Sequence, residues 1–161
     1  MIGDIERLGD HAAGLARTAG EIHGDGLQFP DGAKEEIRAL TLAVKNVLAL
    51  AVNAFELGDP ELALRVEPME EVVDGLAKQL RTRHIVRLQQ GVCTIRSGFV
   101  LSDLLQNCER IAAHSANIAA TLIETAHGQL KMHDYSGHAA NSQTYRRFFE
   151  EYRRRFSLPD T

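Results

Sequence analysis

Tryptophan is absent from this 161-residue chain, cysteine occurs twice and proline four times. Two widely separated cysteines, Cys93 and Cys108, supply neither a disulfide framework nor the CxxC spacing of a structural zinc site. Cys108 falls at an apolar helical position and reads as a buried free thiol, and both cysteines fit a reducing compartment. No run approaches the roughly 18 uninterrupted apolar residues that cross a bilayer. Charged residues begin at Asp4, which leaves no room for a signal peptide at the start. Excess positive charge is missing too: the net charge of −4 argues against nucleic acid as the main partner. No useful β-alternation appears. Nor does a Ser-His-Asp arrangement, a reactive Cys-His pair, a P-loop or a dinucleotide-binding glycine motif, so the chain does not read as an enzyme.

What is present is ordinary in bulk and specific in pattern. Hydrophobic residues make up 44% and charged residues 25%, as in a globular protein with one sizeable core. Ile5, Leu8, Ala12, Leu15, Ala19 and Ile22 recur at three- and four-residue steps and predict a helix over about 2–22. Ile37, Leu40, Val44, Val47, Ala51 and Ala54 predict a second over about 31–58. Asp59-Pro60 then reads as an N-cap followed by proline at the first helical position. The third helix runs to about residue 90, with a kink expected at 66–68 because Pro68 lies inside it. A connection over 91–98 leads to a fourth helix over about 99–126. Residues 128–141, rich in Gly, His, Asn and Ser, read as a flexible loop. A last amphipathic helix over about 142–156 carries Tyr145, Phe148, Phe149, Tyr152 and Phe156 among five arginines. The arginines suit either water or a peripheral contact with anionic lipid. Short connections between long amphipathic helices predict an antiparallel all-α bundle over 1–127, with the last helix and tail at 142–161.

One stretch occurs twice. Asp4-Ile5-Glu6-Arg7-Leu8-Gly9-Asp10-His11 returns as Asn107-Cys108-Glu109-Arg110-Ile111-Ala112-Ala113-His114, at a constant offset of 103 residues. This motif resembles the signature helix of PhoU-like phosphate-uptake regulators. Glu70-Glu71-Val72-Val73-Asp74-Gly75-Leu76, followed by Arg83-His84-Ile85-Val86-Arg87-Leu88, is similar to the penultimate helix of a PhoU repeat. The arrangement is most like the C-terminal cytoplasmic domain of Na/Pi-cotransporter-like membrane proteins. The resemblance implies two three-helix repeats, of which this chain opens on the last helix of the first. That truncated repeat is expected to leave an apolar groove, covered either by a second copy in a homodimer or by the C-terminal helix.

Glu6 with Asp10, and Glu70 with Asp74, are spaced to share a helix face one turn apart. Both fit the Glu-x-x-x-Asp motif through which the resemblance implies metal binding. Carboxylate pairs from adjacent helices could supply four ligands to a hard cation of the iron, zinc, manganese or magnesium class, and at most one well-formed cluster is expected, drawing mainly on Glu6 and Asp10 or on Glu70 and Asp74. The same spacing is also ordinary on a solvated helix face, so the residues alone leave both readings open. Glu109 is a weaker candidate, because Ala113 stands where the first copy has Asp10; Asp103, one turn from Asn107, is a partial substitute, and His11 suits helix capping or packing better than ligation. His127, His133, Asp134 and His138 match no zinc pattern. The ferritin-like Glu-x-x-His spacing is not met, which argues against a di-metal oxidase. The implied function is cytoplasmic regulation of phosphate uptake. Its partner is a membrane phosphate transporter domain or a phosphate-signalling protein, and the chain is free or tethered to the membrane within a longer one. The alternative is a metal-free interaction module.

Overall fold

The computed structural model of the protein describes residues 1–127 and 143–159. The expected loop at 128–141, with His133, Asp134 and His138, lies outside the described residues, as does the side chain of His127. The helices are α1 (Ile2–Gly24), α2 (Asp31–Leu57), α3 (Pro60–Ala63), α4 (Val66–Gln89), α5 (Ile95–His127) and α6 (Gln143–Arg155). There is no strand among the described residues, so the fold is the expected all-α bundle.

Helix ends follow the local chemistry. Gly58 adopts φ 61°, which an L side chain rarely takes, and the Asp59 amide donates back to the Ala54 carbonyl at 2.9 Å. The Asp59 carboxylate then accepts from the Glu61 and Leu62 amides at 2.9 and 3.1 Å, starting α3 at Pro60. The expected kink at Pro68 is instead a break at Leu64-Arg65, two residues before α4 resumes with Val66. Restarting there places Pro68 in a first turn, where its missing N–H has no intrahelical partner to lose. The fourth long helix begins at Ile95 rather than 99. The Thr94 amide donates to Ser97 Oγ and the Ser97 amide donates to Thr94 Oγ1, both at 3.1 Å, a reciprocal cap with serine in the usual glutamate's place.

α2, α4 and α5 form a three-helix unit around Leu40, Val47, Met69, Val73, Leu80 and Leu105. By length and composition α2 is apolar enough to cross a membrane; in the bundle one face, with Leu40, Ala43, Val47, Ala51 and Ala54, is fully buried against α4 and α5, while Leu42, Val52, Phe55 and Leu57 are exposed. Cys108 is buried as expected, and burial, then Glu109 beside it, pushes its thiol up to about 12. α6 runs along α4, with Phe148 and Tyr152 buried and the Arg65 guanidinium 4.7 Å over the Phe148 ring.

Among the described residues α1 packs on α5 alone, antiparallel to it. The two helices carrying the repeated motif therefore meet each other, and their contacts obey the offset of 103. His114 Nδ1 donates to Asp4 Oδ1 at 3.1 Å, and His11 Nδ1 donates to Asn107 Oδ1 at 3.0 Å. Those two bonds exchange under the repeat, and the imidazoles of His11 and His114 stack between them, centroids 5.6 Å apart. Among the described residues only one side of the α1 stripe is covered: Leu8, Leu15 and Ile22 are half-buried, while Ile2 is 77% and Ile5 47% exposed. Ala12 and Ala19 are exposed as well, because Gly14 and Thr18 take the closest approach to α5. α6 covers α4 and leaves this edge of α1 open.

Candidate functional site

On α4, burial of Met69, Val72, Val73, Leu76 and Ala77 turns Glu70 and Asp74 to the seam with α5. Across that seam stand Gln106, Glu109, Arg110 and Ala113, closing an open cleft of about 420 Å³. Burial, then the charges of Asp74, Glu67 and Glu71, raises the Glu70 carboxyl to about 7. Burial, then Glu109, raises Asp74 as well. Glu109 is the neutralised member: Arg81 Nη2 donates to its Oε2 at 3.1 Å and to its Oε1 at 3.3 Å. Ala113 offers a methyl where the first copy of the motif has Asp10. The cleft thus holds three carboxylates against two guanidiniums: Arg81 is taken up by Glu109, while Arg110 lines the wall and Lys78 only partly offsets the raised Glu70 and Asp74.

Glu6 and Asp10 lie elsewhere. Both are exposed on α1, and Asp10 pairs with Arg7 of its own helix at 4.0 Å, a contact worth ~0–1 kcal/mol. α1 and α4 both flank α5 and do not touch each other, so the four carboxylates do not converge. His11 is committed to Asn107 and to the ring of His114. Asp103 is exposed, its carbonyl accepting from Asn107 Nδ2 at 2.9 Å. Among the described residues no three His, Cys, Asp or Glu side chains are grouped closely enough to hold a metal as they stand. Of the expected ligands, Glu70, Asp74 and Glu109 line one cleft, and Glu109 is paired with Arg81.

Two features escaped the sequence. Glu36 is fully buried, chelated by Arg87 through bonds of 2.6 and 2.7 Å and by Arg83 at 3.0 Å. The signal was legible: Glu36 sits in step with Ala33, Leu40 and Ala43, a charge inside an apolar stripe. His84 is 4% exposed, and neither ring nitrogen has a hydrogen-bond partner among the described residues. Burial, then Arg87, holds its pKa down, so its imidazole stays neutral. A Cβ at Gly98 would lie 3.2 Å from its Nε2, a tight approach that the imidazole would have to yield to.

The family model for the PhoU domain matches residues 37–122, more than half of the chain. A "Phosphate-specific transport system accessory protein PhoU homolog" from Pseudomonas aeruginosa is 30% identical over 125 residues, covering 78% of this chain and 51% of that protein. The homolog from Pseudomonas putida is 29% identical, covering 78% and 48%. "PhoU homolog 1" of Thermotoga maritima is 23% identical, covering 74% and 51%. The chain spans about half the length of these curated relatives. No solved structure matches the chain significantly.

Proposed function

We propose, because this chain belongs to the PhoU domain family, that it is an accessory domain regulating phosphate transport and works by binding rather than by catalysis. The observation that carries this reading is where the family match falls. Residues 37–122 run from α2 to α5, the unit that sets Glu70 and Asp74 opposite Glu109. The relatives named above are accessory proteins of phosphate-specific transport. The partner in this reading is a membrane phosphate transporter domain or a phosphate-signalling protein. The domain works in the cytoplasm, free or tethered within a longer transporter chain. Deleting its coding segment in the host should change the rate of phosphate uptake at fixed external phosphate. Unchanged uptake would sink the reading.

Within it, Glu70 and Asp74 hold a hard divalent cation, joined by Glu109 once Arg81 swings aside. The cation supplies positive charge that neutralises the cleft. A metal-free module is the second reading, and a specific observation favours it: Arg81 already neutralises Glu109.

The open edge of α1 supports self-association as well, with Ile2 and Ile5 on the contact. Sedimentation at micromolar concentration should give a dimer that Ile5→Ser dissociates. A species near 17.8 kDa at all concentrations would reject it.

A further inference from the structure

The acidic cleft does not end at Arg81. Arg81 and Ser102 line it and also line a second, mostly apolar cavity of about 310 Å³ farther along the same α4–α5 seam. Its walls are Ile85 and Leu88 of α4 and Ile95 and Phe99 of α5. Ile85 is 50%, Ile95 75% and Phe99 70% exposed, and Val92 in the intervening turn is 56% exposed. Single exposed apolar residues need no explanation, but a cluster around one cavity marks an interaction surface. The apolar and acidic cavities form one groove, with Arg81 at the junction. From Glu70 to Ile85, α4 rises about 22 Å, the length of a helix of about four turns.

We propose that this groove docks an amphipathic helix of a partner protein. Apolar anchors in one half of that helix seat against Ile85, Ile95 and Phe99, and basic side chains in the other half lie over Glu70 and Asp74. Charge complementarity selects the occupant. An acidic segment would add charge to carboxylates that already repel one another, and a wholly apolar one would bury them unpaired. A basic side chain satisfies them, while the anchors supply most of the affinity. The inference goes beyond the phosphate-regulation reading and does not require the cation, since a guanidinium and a metal compete for the same two carboxylates.

The test is a selection from a random library of helical peptides displayed on phage, against the full chain in the presence of a chelator. Enriched peptides should carry Leu, Phe or Trp at i and i+3 or i+4, with Lys or Arg one to three turns away. Phe99→Ser should weaken such a peptide at least tenfold without moving the melting temperature, because Phe99 is exposed. Glu70→Gln with Asp74→Asn should weaken it several-fold and flatten its salt dependence. No enrichment, binders indifferent to Phe99→Ser, or binders without a basic half would each overturn the proposal. So would self-association of the wild type that Phe99→Ser abolishes, which would give the groove to a second copy. A vanished metal-dependent shift with intact peptide binding would fail the cation reading alone.

Discussion

Glu36→Ala is expected to lower the melting temperature by about 6–20 °C, the largest effect of any single substitution considered. Glu36 is wholly buried, and its two oxygens accept from Arg87 at 2.6 and 2.7 Å and from Arg83 at 3.0 Å. Arg83 also donates to the Pro159 carbonyl at 2.7 Å, so the cluster ties α2, α4 and the segment after α6 together. Removing the carboxylate strands two guanidiniums in a site built to hold them paired. Breaking a buried pair in this way costs about 3–5 kcal/mol, and each kcal/mol is worth about 2–4 °C in a domain of this size. Burial alone would raise the Glu36 carboxyl, but hydrogen bonds from Arg87 and then Arg83 outweigh it and hold it below its ordinary value of 4.5. The sign follows: its contribution is complete above pH 4.5 and is lost as pH falls through the lowered native value. A triple variant, Glu36→Leu, Arg83→Met and Arg87→Met, should recover most of the loss, because it removes the charges together with their desolvation. A melting curve for Glu36→Ala within 2 °C or so of wild type would show that water reaches the guanidiniums.

Divalent cations should raise the melting temperature at pH 7.5, and Asp74→Ala should abolish that rise while Asp10→Ala leaves it intact. Glu70, raised to about 7, and Asp74 make the folded chain bind protons more tightly than the unfolded chain does. The Glu70 contribution is therefore complete below its ordinary pKa of 4.5 and is lost as pH climbs through about 7, and that of Asp74, raised from 3.8, is likewise lost as pH rises. A cation in the cleft replaces those protons. Binding to the native state alone stabilises by ~2.7 kcal/mol at one hundred times the dissociation constant. Glu70→Gln should flatten the pH dependence and blunt the response to metal together. The expectation for Asp10 follows from its place on α1, exposed and paired with Arg7 of its own helix. A metal shift lost with Asp10→Ala and kept with Asp74→Ala would move the site to α1. No shift with any divalent ion would leave the groove to basic side chains.

The misplaced boundaries share a cause. Pro68 announced trouble in the third helix, but the break fell at Leu64-Arg65, where restarting leaves no interior amide unpaired. Gly98 read as part of a connection, yet Thr94 and Ser97 cap a helix that runs through Gly98, which packs closely on His84. Local propensity weighs each residue against its neighbours in sequence, and here the neighbours in space prevailed.

By itself the sequence determined the all-α class, the long helices and the repeat, because helical periodicity and a recurring motif are properties of order along the chain. It also determined that Glu70 and Asp74 share one face of α4, since i and i+4 always do. Which helices would be neighbours was not in that order. The tertiary structure decided that α1 meets α5 through exchanged His–Asp and His–Asn bonds, and that Glu6 and Asp10 stay apart from Glu70 and Asp74. It decided, too, that Arg81 claims Glu109 and that Glu36 lies buried between two arginines. The physical reason is that a carboxylate's environment is set by what packs across from it, and helix pairing is chosen by the whole apolar surface at once.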